Sequence, residues 1–228
     1  DFLRFLENEL SKVKIDSITS IDQLLCMSLY QGIYCGDYFH ESLVKKIKLK
    51  LSLFNFKKNY SKLKTEAFNR SKNIDGLITF SYNRDDLIHL VSLVARHFVD
   101  YQKKLQPIIF EQSILKSKLL SSHLDINNLN YLNISDILSF QNPGWYEKYK
   151  DSIILAENIL TRELKEYDIY CTFLMDNLKL DLRKQIFVYS SWLNFLKNTK
   201  PPFILVESDR NNLSSPIIMA SKKLNIPS

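Results

Sequence analysis

Three short polar stretches, each directly after an apolar stretch, hold the side chains of this sequence best suited to chemistry. They are Tyr82-Asn83-Arg84-Asp85, Glu111-Gln112-Ser113 and Ser208-Asp209-Arg210-Asn211-Asn212. In an open parallel sheet, ligands bind at the carboxyl ends of the strands, where loops meet helix N-termini. There an arginine can hold a phosphate or carboxylate through paired hydrogen bonds, and a carboxylate can accept the proton of a hydroxyl group. The three stretches therefore predict a polar rim that faces a ligand.

Strand-to-helix loops are also polar for a structural reason, because Ser, Asp and Asn cap helices. Both interpretations stay open for each loop, and the agreement of three loops favours the site only modestly. The four glycines, Gly32, Gly36, Gly76 and Gly144, never approach the GxGxxG or GxxxxGK[ST] spacing. A nucleotide bound by this chain would therefore use neither of those glycine-rich phosphate loops.

The sequence gives little support for a metal site, and no cofactor is expected. Cys26, Cys35 and Cys171 are odd in number and lack CxxC spacing, which favours a reducing compartment over a disulfide framework. His89 and His97 lie near one face of a predicted helix, but no Cys or acid completes a ligand set. Trp145 and Trp192 are predicted to pack between helices rather than to form a sugar platform.

The elements that would position the polar rim alternate between strand and helix from residue 76 onward. Strands are predicted at 77–82, 107–111 and 203–207, with a weaker β-like stretch over 131–140 and the entry to another strand at 225–228. Helices are predicted from about 85 to 101, after Ser113, over about 145–178 and 182–196, and over 214–224. This alternation indicates parallel βαβ units with right-handed crossovers. The predicted fold class is α/β, with a Rossmann-like parallel sheet that has helices on both faces.

The first part of the chain reads as helical and is locally basic. We therefore predict two regions: a helical, basic region over 1–72 and the α/β domain over 73–228. Between Lys45 and Lys72 there are ten basic residues and one acid, although the whole chain carries a net charge of only +6. Six of these lysines are predicted to contact an anionic membrane surface or another anion: Lys45, Lys46, Lys48, Lys50, Lys57 and Lys58. The same charge could track the phosphates of a nucleic acid, or form an ordinary solvated helix face.

No uncharged apolar run approaches 18 residues, so no helix is expected to span a bilayer. The expected location is cytoplasmic, with peripheral association at the inner face of the membrane.

Two stretches resemble a known family. Residues 204–228 read ILVESDRNNLSSPIIMASKKLNIPS, and residues 78–84 read ITFSYNR. They resemble the end and the beginning of the N-terminal domain in GT-B-type bacterial polysaccharide glycosyltransferases. In that family, a strand, a polar turn and a helix ending A-x-K-x-L-x-I-P lead into a further strand and a QHG-like turn. The resemblance covers roughly residues 74–228, and its sharp part is the last 25 residues.

The resemblance implies an acceptor-side domain with a saccharide acceptor. Its nucleotide-sugar donor would bind mostly outside this chain, which ends at Ser228, before the QHG-like turn and the second domain. Asp209 and Glu111 are the implied candidates for a catalytic base. The implied substrate-binding residues are the remaining polar residues of the rim: Tyr82, Asn83, Arg84, Gln112, Ser113, Ser208, Arg210 and Asn211.

Two other functions stay open at this point. One is a non-enzymatic module that binds nucleic acid or a membrane through residues 45–72, nucleic acid being the less favoured partner. The other is a sugar-nucleotide epimerase or hydrolase that uses the same fold.

Overall fold

A computed structural model of the chain describes residues 2–35, 74–81, 84–101, 104–110, 114, 131–207 and 214–228. In chain order the described elements are α1 (Phe2–Ser11), α2 (Ile21–Leu29) with a π-helical turn (Tyr30–Tyr34), β1 (Gly76–Phe80), α3 (Asp85–Asp100), β2 (Leu105–Ile109), β3 (Leu132–Asn133), α4 (Ile134–Leu138), α5 (Trp145–Glu166), α6 (Thr172–Thr199), β4 (Ile204–Leu205) and α7 (Ser214–Lys223).

The chain divides into two compact units, each assembled from separated stretches. The first comprises Asp1–Lys58, Asn142–Ser190 and Arg210–Met219, and the second comprises Asn59–Gln141, Ser191–Asp209 and Ala220–Ser228. The predicted boundary near residue 72 lies outside the described residues, so the division into 1–72 and 73–228 stays a prediction.

The described part of the first unit is helical. Its core consists of aliphatic side chains that recur every three or four residues, so that one face of each helix is buried. They include Leu6 and Leu10 of α1, Leu24 of α2, and Ile153 and Leu160 of α5, all fully buried. At the start of α2, the Gln23 side chain accepts a hydrogen bond from the Ser20 backbone N–H at 3.0 Å, which is half of a capping box.

The second unit contains a four-stranded parallel sheet, in the order β3-β2-β1-β4, built by the described residues. Helix α3 covers one face of this sheet. The buried side chains Ile78 and Phe80 of β1, together with Ile109 of β2, pack against Ile88 and Val91 of α3. These strands are buried on successive positions, as expected of a parallel sheet.

The parallel sheet predicted from the sequence is confirmed, with different strand limits. The predicted strands 77–82, 107–111 and 203–207 correspond to Gly76–Phe80, Leu105–Ile109 and Ile204–Leu205. The prediction of β-structure over 131–140 is wrong for most of this stretch, because β3 has only two residues and α4 follows at once. The Asp136 carboxylate accepts a hydrogen bond from the Asn133 N–H at 2.8 Å, and this capping contact starts the helix.

The predicted break between the two long helices is also wrong. The sequence predicts it near residues 179–181, whereas the chain leaves α5 at Tyr167 and begins α6 at Thr172. Asp168 has a left-handed backbone with φ 56°, and the Ile169 N–H donates to the Leu164 carbonyl at 2.9 Å. Together with the Asp168 N–H donating to the Lys165 carbonyl, this is a Schellman motif, which ends a helix.

None of the helices in the described part of the chain is long and apolar enough to cross a membrane.

Candidate functional site

The candidate site lies where the order of the strands changes direction. From β1 the chain proceeds to β2 and then β3 on one side, and β4 pairs with β1 on the other side. In an open parallel sheet, such a switch leaves a crevice at the carboxyl ends of the two central strands, because their connections leave in opposite directions. Here these strands are β1 and β4.

The backbones of β1 and β4 pair at only two positions, and beyond these the two strands are connected by hydrogen bonds of side chains. The backbone register includes Leu77↔Ile204 and Ile78↔Leu205. After that, the Thr79 hydroxyl donates to the Leu205 carbonyl at 3.5 Å and accepts from the Glu207 N–H at 3.3 Å. The Ser81 N–H then donates to the Glu207 carboxylate. The carboxyl ends of the two strands are therefore joined by polar side chains rather than by a continued ladder.

Arg84 is the one predicted site residue that lies within the described residues. It precedes α3, and its carbonyl accepts the Ile88 N–H at 2.9 Å. Its guanidinium donates two hydrogen bonds to the Asp86 carboxylate, at 3.2 and 2.6 Å. This hydrogen bonding lowers the pKa of Asp86 below its usual value. Both side chains are largely exposed, so the guanidinium is accessible to a ligand anion that replaces Asp86.

The remaining predicted site residues lie outside the described residues, and their roles stay predictions. They are Glu111 and Asp209 as bases, Tyr82, Asn83, Gln112, Ser113, Ser208, Arg210 and Asn211 as substrate-binding residues, and Lys45, Lys46, Lys48, Lys50, Lys57 and Lys58 as anion contacts.

Sequence reasoning did not select Glu207 as a site residue. It took Glu207 as the last residue of a strand, although it is the first charged residue after the apolar run of β4. That position was the signal available in the sequence. The sequence does not indicate which group the Glu207 carboxylate pairs with. That group is the backbone N–H of Ser81, which lies 126 residues away along the chain.

Both tryptophans pack against other aromatic rings, and His97 contacts a neighbouring tyrosine. His97 makes an edge contact with Tyr101, at 4.8 Å between ring centroids, and no group of three or more His, Cys, Asp or Glu residues suited to a metal occurs in the described ranges. Trp192 is fully buried against Phe195, and Trp145 meets Phe187 edge-on, in agreement with the packing roles expected for both rings.

Comparison of the chain with protein-family models, with curated proteins and with solved structures found no match. The function is therefore inferred from the sheet, the site at its edge and the residues of the sequence.

Proposed function

We propose that this chain is the Rossmann-like, acceptor-side domain of a GT-B-type glycosyltransferase that acts in surface polysaccharide synthesis. The observation that carries the proposal is the switch in strand order between β1 and β4. The order β3-β2-β1-β4 matches the first four strands of the Rossmann arrangement, in which ligands bind at this edge. A fold alone does not determine a function, so the resemblance of residues 204–228 supplies the choice of chemistry.

The end of the chain supports the Rossmann-like arrangement. After α7 the backbone returns beside β4, where the Pro227 carbonyl accepts the Ile204 N–H at 2.8 Å. This is the position that the fifth strand of the Rossmann order would occupy. In the proposed family, the same segment leads towards the second domain and the nucleotide-sugar donor.

The proposed reaction transfers a sugar or sugar-like unit to a saccharide hydroxyl. The acceptor oxygen forms a bond to the anomeric carbon of the donor, the bond from that carbon to the nucleotide phosphate breaks, and the nucleotide leaves with the bonding electrons. Asp209 or Glu111 takes the hydroxyl proton. Arg84 and Arg210 hold phosphate or carboxylate groups of the substrates at the rim.

The test uses the natural full-length protein with a set of nucleotide sugars and saccharide acceptors, and it measures both nucleotide release and the glycosylated product. Asp209→Asn is nearly isosteric, so we expect at least a tenfold loss of transfer, a barrier increase of about 1.4 kcal/mol, with little change in Tm. Asp168→Asn is the matched control, because Asp168 is exposed at a helix end and Asn tolerates its left-handed backbone. It should change neither quantity.

Three outcomes would contradict the proposal or redirect it. If Asp209→Asn keeps full activity but lowers Tm, Asp209 is a helix cap. Conversion of the nucleotide sugar without transfer to any acceptor would favour an epimerase or hydrolase. The absence of any reaction with every donor would leave the binding-module function as the better proposal.

A further inference from the structure

Three fully buried side-chain polar atoms of the sheet unit have no hydrogen-bond partner among the described residues. One is the Ser92 hydroxyl oxygen on α3. The other two are the Ser81 hydroxyl oxygen and the Trp192 indole nitrogen, and both residues are 0% exposed. A buried donor without a partner costs free energy, so native proteins seldom keep one without a reason. An indole nitrogen can only donate, which restricts what could satisfy it to an acceptor.

The two atoms belong to the same face and the same edge of the sheet. Side chains alternate along a strand, so Ser81 lies on the opposite face from Phe80, which packs against α3. On β2, Phe110 extends the ladder, because its N–H donates to the Phe80 carbonyl at 3.0 Å. The Phe110 ring packs against Trp192, with ring centroids 6.4 Å apart. Trp192 therefore covers the sheet face that carries Ser81, at the carboxyl ends of β1 and β2.

A carboxylate completes this cluster. Glu207 follows β4, and its side chain accepts the hydrogen bond of the Ser81 N–H. The edge thus combines a donor from Trp192, a hydroxyl from Ser81 that can donate or accept, and an acceptor from Glu207. We refer to these three residues as the edge cluster.

We infer that the edge cluster is a subsite for a hydroxyl group of an uncharged saccharide. This inference rests on the proposed function, and it assigns the acceptor to this edge. A sugar hydroxyl can accept from the indole N–H and donate to a carboxylate at the same time, whereas the net negative charge of a phosphate is repelled by the Glu207 carboxylate. Sites built to bind a hydroxyl discriminate strongly against ligands that lack one.

The experiment follows the Trp192 indole N–H by NMR in the nitrogen-15-labelled chain. The sequence has two tryptophans, so two indole signals are expected, and Trp145→Phe assigns them. The probes are methyl glycosides of glucose, galactose, mannose and N-acetylglucosamine, with inorganic phosphate as the charged probe. We expect saturable, millimolar binding of at least one glycoside that shifts the Trp192 indole and Ser81 amide signals. Phosphate should leave the Trp192 indole signal unchanged.

Two variants separate a ligand subsite from a structural role. Ser81→Ala removes a buried hydroxyl that lacks a partner, so the chain should become equally or more stable while glycoside binding weakens at least tenfold. Glu207→Gln keeps the shape of the side chain and should also weaken binding at least tenfold. Glycoside binding that survives both variants, an absence of glycoside-induced shifts, or a loss of stability in Ser81→Ala would overturn the inference.

The binding readout is independent of transfer. Glycoside binding at the edge cluster without transfer by the full-length protein would overturn the proposed reaction and leave the subsite standing. Transfer by the full-length protein without any glycoside-induced shift of the Trp192 indole signal would overturn the subsite and leave the proposed reaction standing.

Discussion

Gly76 begins β1 directly beneath the ring of Phe203. A Cβ atom built on Gly76 would lie 2.4 to 2.9 Å from three atoms of that ring. The ring is itself packed against Phe98, at 5.3 Å between centroids, so it has little freedom to move aside. Gly76→Ala should therefore lower the free energy of unfolding by about 1–3 kcal/mol, as for other overpacked sites. Urea denaturation monitored by circular dichroism measures this change.

Gly144→Ala is the control for Gly76→Ala. The nearest atom to a Cβ at Gly144 is the Asn142 side-chain oxygen, at an ordinary contact distance of 3.6 Å. Its unfolding free energy should stay within about 0.5 kcal/mol of the wild type. Equal effects of the two substitutions would show that the contact with Phe203 is not the cause.

Tyr189 connects α6 to the loop before α2 within the first unit. Its hydroxyl donates to the Asp16 carboxylate and accepts from the Thr19 hydroxyl at 3.4 Å. Tyr189→Phe leaves the buried ring in place and removes the donor to a charged acceptor. We expect a loss of about 1.5–3 kcal/mol in the free energy of unfolding at neutral pH. Tyr34→Phe, at a tyrosine that is 70% exposed, should cost less than about 0.5 kcal/mol.

The contribution of Tyr189 should also depend on pH. Burial, and next the hydrogen bond to Asp16, raise the pKa of Tyr189 above its ordinary value. The stabilisation is therefore fully present below the pKa of an unfolded tyrosine, about 10, and is lost as the pH rises from there towards the folded pKa. Urea titrations of wild type and Tyr189→Phe should show a constant difference from pH 7 to about 9 that shrinks above about 10. A difference that grows in alkali would contradict this assignment.

At the scale of elements, the three non-glycine residues with positive φ in the described ranges, Asp168, Lys200 and Asn225, all follow helix ends. Lys200 ends α6 with φ 46°, and its N–H donates to the Leu196 carbonyl at 2.9 Å. A lysine pays a steric cost in this conformation that glycine avoids, whereas asparagine tolerates it. Lys200→Gly should raise the free energy of unfolding by about 1 kcal/mol, and Asn225→Gly by only a few tenths. If both substitutions lower the free energy of unfolding equally in urea denaturation, the left-handed backbone of Lys200 does not strain the folded protein.

The basic segment 45–72 lies outside the described residues, and its function is predicted from charge alone. We expect the chain to bind anionic but not neutral vesicles in co-sedimentation, and the binding to weaken as salt is added. Each lysine near an anionic surface contributes about 1 kcal/mol, so replacing Lys45, Lys46, Lys48 and Lys50 by Gln should weaken binding at least tenfold.

The matched control replaces four exposed lysines from other parts of the chain, Lys148, Lys165, Lys197 and Lys222. It removes the same charge and should leave vesicle binding nearly unchanged. Equal loss in both variants would mean that net charge, rather than the segment, attracts the vesicles. Tighter binding to single-stranded nucleic acid than to vesicles would instead favour the nucleic-acid alternative.

Element types were predictable here, and element ends were less so. The apolar runs of β1, β2 and β4 identify strands because the side chains on both faces are buried. The end of α5 has no such local signal: it is set by the left-handed conformation of Asp168, a residue type that also occurs within helices. Similarly, β2 begins two residues before Pro107, because Asp75 and Lys104 exchange hydrogen bonds at the start of the β1–β2 ladder. A sequence pattern does not contain that pairing.

For the whole molecule, the alternation of strands and helices was enough to predict a parallel sheet. It also located the edge where polar residues follow β1 and β4. The members of the edge cluster could not be predicted in the same way. Their grouping depends on which strands are neighbours, on the alternation of faces along β1, and on Trp192 reaching the sheet from a helix that sequence reasoning assigned only to packing.

The discontinuity of the two compact units has a consequence for synthesis of the chain on the ribosome. The first unit begins with Asp1–Lys58 and is completed only by Arg210–Met219. At roughly 5–20 residues per second, adding residues 59 to 219 takes about 10 to 30 s. Until residues 145–166 have been added, the apolar face of α1 lacks its partner α5, and chaperones that bind nascent chains can act in this interval. A ribosome that stalls between residues 191 and 209 would release a polypeptide in which neither unit is complete.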